Sequence, residues 1–161
     1  MKFNLAPWAL VLALFMVSAP VAANGDSLAG DPIRVVTVES EFEYVLEDVK
    51  LAVTGRGLNI ANTLHASDML NRTARDLGFM KDVYSHAESV EFCSAVISHK
   101  LAAANPANLV LCPFTIGVYV LTDDPGHVHI AYRVPTGMPG SQAATDLVQS
   151  LLDDIVAEVA Q

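Results

Sequence analysis

Residues 109–121 read LVLCPFTIGVYVL, and the sequence DDPG at 123–126 then leads into HVHIAYRV at 127–134. Both runs alternate bulky apolar residues with smaller or polar ones, a pattern typical of half-buried β-strands. The four residues between the runs favour a turn. This stretch therefore predicts an antiparallel hairpin, and it is the strongest β signal in the chain.

The flanking residues predict further strands and helices. A β-branched run predicts a strand at 33–38, and the capping-box pattern of Ser40 and Glu43 predicts the start of a helix that ends near Gly55. Apolar residues at helical spacing predict a helix over 141–159 with a wide apolar stripe. Shorter patterns predict a strand with Leu58, Ile60, Asn62 and Leu64 on one face, a helix capped by Ser67 with Met69, Leu70, Ala74 and Leu77 buried, a strand at 89–93 and a helix at 94–104.

The order of these elements, β, α, β, α, β, α, β, β, α, indicates the fold class. It predicts an α/β or α+β fold in which a mixed, largely antiparallel sheet is covered by helices. We expect residues 33–161 to form a single compact domain, since this length is usual for one domain. The stripe on 141–159 is wider than one helix on a small sheet requires, so we also expect a homodimer.

The N-terminal residues have the pattern of an export signal. Lys2 supplies a positive charge, residues 5–17 are an apolar run, and residues 21–23 are small or compatible with a cleavage site. We expect residues 1–23 to be a signal peptide that is removed, and residues 24–32 to be a flexible leader. The mature protein is then periplasmic or secreted, with no stable membrane span. The alternative is a retained anchor, because the apolar stretch approaches the ~20 residues that cross a bilayer.

The charge balance excludes one class of partner. The chain carries 9 basic and 18 acidic residues, a net charge of −9. A surface of this sign repels the phosphates of DNA and RNA. We therefore expect no nucleic-acid partner.

The two cysteines are the first candidates for chemistry. Cys93 lies at a predicted strand-to-helix junction and Cys112 in the following predicted strand. Sequential strands with a short connection are usually neighbours, so we expect the two cysteines to approach each other. A structural disulfide, reduced buried thiols, and redox or metal use remain open. Because a helix N-terminus lowers a thiol pKa, Cys93 is the better candidate for a reactive thiol, with His99 as a possible helper.

A pair of histidines gives a weaker candidate for a metal site. His127 and His129 are two apart on a predicted strand, so their side chains share a face, and imidazole suits copper or zinc. The simpler interpretation is that Val128 and Ile130 are buried and both histidines face solvent. No phosphate loop, nucleophile elbow or zinc-binding helix motif is found in the sequence, so we assign no reaction and no cofactor.

The spacing of several residues resembles a known family. Cys93, Pro106 and Pro113, followed by FTIGVYV at 114–120 and then Pro135, resemble the core of the domain of unknown function 302 family. The resemblance covers about residues 35–135. It implies a small α/β domain that forms homodimers, and it implies no assigned activity.

The sequence departs from that family pattern at three positions. Ser94 and Ala95 replace the asparagine and proline that commonly follow the first cysteine, and Cys112 precedes the strand proline where many members have a cysteine after it. The resemblance therefore implies no role for those three positions.

Two hypotheses for the function follow. The first is a non-catalytic periplasmic domain that binds an unknown small ligand or a periplasmic protein, because the fold pattern is complete without any catalytic constellation. The alternative is a thiol-redox or metal accessory protein, of copper or haem type, that uses Cys93 and Cys112.

Overall fold

The computed structural model describes residues 30–161, so the predicted signal peptide lies outside the described residues. The strands are β1 (Ile33–Val38), β2 (Asn59–His65), β3 (Tyr84–Cys93), β4 (Phe114–Leu121) and β5 (Asp124–Arg133). The helices are α1 (Phe42–Gly55), α2 (Ala66–Ala74), α3 (Ala95–Ala104) and α4 (Gln142–Val159), with a 3₁₀ helix at Pro106–Leu111. No described helix is both long enough and apolar enough to cross a membrane.

The five strands form one antiparallel sheet in the order β1-β5-β4-β3-β2. This confirms the predicted sheet and helices, and the β4–β5 hairpin with them. The hairpin turn is shorter than predicted, because Leu121 already pairs with Asp124. β3 also begins earlier than predicted, at Tyr84 rather than Ser89.

The core lies between one face of the sheet and helices α1 and α4. We call this the inner face, and the opposite one the outer face. Val90, Ile116 and Ile130 point inward from three neighbouring strands and are fully buried. α4 contacts both α1 and α3. These contacts use most of its apolar stripe, so the surplus that suggested a dimer is small: Leu147 is 39% exposed, and the remaining stripe residues are buried or half-buried.

The predicted strand at 109–121 is wrong in its first part. Residues 106–111 form the 3₁₀ helix, and β4 begins only at Phe114. Pro106 occupies the first turn, where its missing N–H costs nothing, and the Asn105 side chain accepts the backbone N–H of Ala107 at 2.9 Å. A short apolar run does not distinguish a strand from such a turn.

A buried asparagine fixes this 3₁₀ helix to its surroundings. Asn108 is 2% exposed, and its amide nitrogen donates to the Leu101 carbonyl at 2.9 Å and to Ser141 Oγ at 2.7 Å. Its amide oxygen accepts the backbone N–H of Met138 at 2.9 Å. One side chain thus joins the end of α3 to the segment that leads into α4.

Two local predictions near α1 and β2 are also wrong. The capping box of Ser40 and Glu43 does not form: Glu41 is the N-cap residue of α1, and no side chain caps the helix. In β2 a bulge between Ile60 and Asn62 shifts the alternation. Simple alternation would put Asn62 and Leu64 on the same face as Ile60. Because of the bulge, Thr63 is half-buried instead, and Asn62 and Leu64 are exposed.

Helix α2 lies at the edge of the sheet and not over a face. It flanks the first half of β3, where Ser67 Oγ donates to the Ala87 carbonyl at 3.4 Å. The N-cap residue is His65, so the predicted cap at Ser67 is wrong. Because α2 covers little of the sheet, only Ala74 of its predicted buried side is buried, and the others are exposed: Met69 43%, Leu70 44% and Leu77 69%.

Candidate functional site

The two cysteines form a disulfide, with Cα atoms 6.0 Å apart. Cys93 ends β3, and Cys112 follows the 3₁₀ helix and precedes a cis Pro113. The prediction that the two approach each other is confirmed. Both are half-buried. The bond ties the end of β3 to the start of β4.

The histidines proposed as helpers or ligands do not come together. His99 lies exposed on α3. Within residues 30–161, no group of three or more histidine, cysteine or acidic side chains is placed to hold a metal ion. His127 donates from Nδ1 to Asp124 Oδ1 at 2.7 Å, and Glu39 lies 3.9 Å from its Nε2. The hydrogen bond to Asp124, together with the charge of that carboxylate, raises the pKa of His127 above its usual value.

The prediction that His129 faces solvent is wrong. Val128 and Ile130 are buried on the inner face as predicted, but His129 does not face solvent: it is only 6% exposed on the outer face. Its ring stacks on Tyr119 with centroids 4.9 Å apart, and its Nδ1 lies 3.0 Å from Thr37 Oγ1. These neighbours on the adjacent strands contribute to its burial.

A concave feature arises where β4 and β5 separate. Their ladder ends at the pair Ile116–Tyr132. Continued in the same register, it would place Pro113 opposite Pro135, and neither residue has an N–H to donate. β4 instead stays with β3 up to Phe114, while β5 stays with β1 up to Arg133. The sheet therefore divides at this end.

A groove of about 530 Å³ occupies the gap between the separated strands. Val148 and Leu152 of α4 lie at its bottom and are 2% and 3% exposed. The outer-face residues of β4 and β5 and the apolar residues of the 3₁₀ helix form its walls. The lining residues are Ile33, Val110, Leu111, Pro113, Phe114, Thr115, Gly117, Ala131, Tyr132, Arg133, Pro135, Val148 and Leu152. The groove is thus mostly apolar and adjoins the disulfide through Pro113.

Few groups in the groove could carry chemistry. Its polar side chains are those of Thr115, Tyr132 and Arg133. The Tyr132 hydroxyl donates to Asp153 of α4 and accepts from Gln149 Nε2 at 2.9 Å. Burial and the hydrogen bond to Asp153 raise the pKa of Tyr132 well above its usual value, so the phenol stays neutral at physiological pH. This arrangement provides binding surface and no nucleophile with an adjacent base.

Sequence reasoning missed this groove. Two of its three polar residues, Thr115 and Arg133, look like ordinary solvent-facing strand positions. The available signal was the pair of prolines, Pro113 and Pro135, which lie on either side of the predicted hairpin. Their opposition becomes visible only when the hairpin register is known.

Comparison with known proteins gives a family and a fold. Residues 34–160 match the family model for Domain of unknown function DUF302. The chain is also similar to a solved structure described as the crystal structure of uncharacterized conserved protein DUF302 from Bacillus stearothermophilus, with 14% sequence identity and a TM-score of 0.65. The match covers 80% of this chain and 98% of that one. At this identity the likeness concerns the fold alone.

No curated protein matches the sequence. The family match spans nearly all of the described residues, from the second residue of β1 to the residue after α4. It confirms the family resemblance noted around Cys93, Pro113 and Pro135. This chain therefore belongs to the DUF302 family.

Proposed function

We propose that this domain binds a small, largely apolar ligand in the groove between β4 and β5, without catalysing a reaction. The observation that carries the proposal is the groove itself, at about 530 Å³. Sites for small molecules are commonly concave, mostly apolar and roughly 300–1,000 Å³ in volume, with a few polar groups that fix orientation. The groove has these properties.

The lining also favours binding over catalysis. The phenol of Tyr132 is engaged by Asp153 and Gln149. The described lining residues include no histidine, cysteine, serine, lysine or carboxylate that could act as nucleophile or general base. A ligand held there would contact apolar side chains, one hydroxyl and one guanidinium.

The test uses 1-octanol as a probe and a variant that fills the groove. A Cβ added at Gly117 would meet its nearest neighbours, the Ala131 carbonyl oxygen and Ser89 Oγ, at 3.7 and 4.0 Å. Gly117→Ala is therefore expected to fold and bind like the parent, whereas Gly117→Leu places a larger side chain in the groove. Titration calorimetry should show octanol binding to the parent and to Gly117→Ala, and at least about tenfold weaker binding to Gly117→Leu.

The proposal fails if the parent binds no octanol, or if Gly117→Leu binds it as tightly as Gly117→Ala does. Thermal unfolding of both variants shows whether the fold survives each change. If Gly117→Leu unfolds at the same temperature as the parent, its loss of octanol binding comes from the filled groove and not from a damaged fold.

We also propose an extracytoplasmic location. It is supported by Lys2, the apolar run at 5–17 and the small residues at 21–23, together with a disulfide in the folded domain. Mass spectrometry of the protein from the expressing cell should give a mature N-terminus near residue 24. An intact N-terminus on a cytoplasmic protein would contradict this location.

Self-association as a homodimer is a further part of the proposal. Its support is an exposed apolar surface around α2, which we call the α2 surface: Leu70, Leu77, Phe79, Met80 and Val83, 44–76% exposed. Exposed apolar side chains gathered in one region commonly mark protein interfaces. Sedimentation at tens of micromolar should give a dimer mass, and Phe79→Ser with Met80→Ser should shift it towards monomer. A monomer mass for the parent would contradict the proposal.

A thiol-redox role for Cys93 and Cys112 remains the second candidate. One observation favours it: both cysteines are half-buried rather than fully buried, and Pro113, the residue after Cys112, lines the groove. The disulfide should then be reduced by a thioredoxin-type dithiol faster than the protein unfolds. Reduction that occurs only with unfolding would exclude this role.

A further inference from the structure

We propose that the ligand of the groove is an amphipathic anion, an apolar body with one carboxylate or similar group, and that Arg133 binds its charge. This inference rests on the proposed function and adds the chemical class of the ligand. It is carried by the position of one cation at the edge of an apolar groove in an acidic protein.

Arg133 is the last residue of β5 and stands opposite Ile33 of β1. It is the one charged residue among the described residues that line the groove. Its guanidinium is exposed and forms no ion pair within residues 30–161. A charged group of a ligand could therefore reach it without displacing a partner.

The surroundings of Arg133 favour an anion over a neutral polar ligand. The chain has a net charge of −9, with eighteen acidic residues, yet no acidic side chain lines the described groove. Guanidinium binds a carboxylate through two parallel N–H donors, and such charge-assisted hydrogen bonds are stronger than those between neutral groups. Thr115, on the neighbouring strand, adds a hydroxyl that can donate to the same group.

The bottom of the groove would hold the apolar end of the ligand. Arg133 is exposed at the mouth, whereas Val148 and Leu152 are buried at the bottom. An alkyl or aryl body would cover these two side chains while the charged group stays at the mouth with water. The arrangement resembles the way long amphipathic groups bury their stems and keep their charges solvated.

The experiment compares octanoate with 1-octanol, which have the same chain length and differ in charge. Arg133→Gln removes the cation, and Lys81→Gln is the matched control. Lys81 is also exposed, but it lies beyond the opposite end of the sheet, where it pairs with Asp123. Both variants lose one positive charge, and only one of them loses it at the groove.

We expect Arg133→Gln to weaken octanoate binding roughly three- to tenfold and octanol binding by less than about twofold. Lys81→Gln should bind both probes like the parent. Raising the sodium chloride concentration should weaken octanoate binding and not octanol binding, because the charge interaction at the mouth is screened.

Two outcomes would overturn the inference while the proposed function stands. In the first, the parent binds octanol as tightly as octanoate and Arg133→Gln changes neither. In the second, Lys81→Gln weakens octanoate as much as Arg133→Gln does, so the effect is one of total charge. A parent that binds neither probe overturns the proposed function itself, and the inference with it.

Discussion

At the scale of single residues, Asn108 has a structural role that the sequence does not predict. It belongs to a residue type that is usually exposed, yet its side chain is buried and makes three hydrogen bonds, to Leu101, Met138 and Ser141. A buried amide is tolerated only when its donors and acceptor are satisfied. Asn108 therefore holds the 3₁₀ helix, and through it one wall of the groove.

We predict that Asn108→Ala lowers the free energy of unfolding by about 3 kcal/mol, because three hydrogen bonds of roughly 1 kcal/mol each are lost and two of the partners, Leu101 and Ser141, stay buried. Asn71→Ala is the matched control. Asn71 is exposed and makes one long bond, 3.5 Å to the Tyr84 carbonyl. Urea unfolding should show a change below about 1 kcal/mol for the control. Equal effects of the two substitutions would show that Asn108 has no special role.

A second prediction at this scale concerns His127. The hydrogen bond that His127 donates to Asp124, together with the charge of that carboxylate, raises the pKa of His127 in the folded protein. A raised folded-state pKa stabilises the fold at pH values below the unfolded pKa of ~6.5, and this contribution is lost as the pH rises through the folded-state value. NMR titration should therefore place the pKa of His127 above ~6.5.

Asp124→Asn should lower that pKa towards its usual value, since the amide has no charge. Asp123→Asn is the control, because Asp123 is adjacent in sequence but pairs with Lys81. If both variants titrate alike at His127, the shift does not come from the hydrogen bond to Asp124.

At the scale of elements, the sequence predicts what its periodicity encodes. The hairpin of β4 and β5 and the helix α4 follow from alternation and from helical spacing, and both are confirmed. The same rules fail where tertiary contacts determine the burial or the conformation of a segment. The apolar residues of α2 have helical spacing but stay exposed because α2 lies at an edge, and 106–111 form a 3₁₀ helix because Asn105 and Asn108 bind its backbone and neighbours.

The disulfide acts at this scale, because it joins the end of β3 to the start of β4 around α3 and the 3₁₀ helix. Its sequence separation is 19 residues. On the loop-entropy model, a cross-link of this length stabilises a fold by about 3 kcal/mol. We predict that the double variant Cys93→Ser, Cys112→Ser loses about this amount in urea unfolding and keeps its far-ultraviolet circular dichroism.

Reduction of the parent with dithiothreitol is the control, since it breaks the same link without a substitution. It should give a similar loss of stability. A double variant as stable as the oxidised parent would mean that the disulfide does not stabilise the fold.

At the scale of the whole molecule, two features lie at opposite ends of the sheet. The groove opens where β4 and β5 separate, near Pro113 and Pro135, and the α2 surface lies near Tyr84, which pairs with the far end of β4. A ligand in the groove and a second copy on the α2 surface would therefore not compete. The two proposals can be tested independently.

The sequence could not predict the groove, although its cause lies in two residues. Pro113 and Pro135 are 22 positions apart, and each alone is an ordinary strand-ending proline. Only the register of the hairpin places them opposite each other, and only the docking of α4 puts Val148 and Leu152 beneath the gap. The candidate residues Cys93 and Cys112 were found because a disulfide needs two residues of one rare type.

The central claim is that the groove binds a small apolar ligand, and chemical-shift mapping tests it most directly. Uniformly ¹⁵N-labelled parent protein is titrated with 1-octanol, and backbone amide shifts are followed for every assigned residue. We predict saturable shifts concentrated at Thr115, Gly117, Ala131 and Arg133, with Tyr84 and the α2 surface unchanged. Shifts that are absent, that do not saturate, or that centre on the α2 surface would contradict the claim.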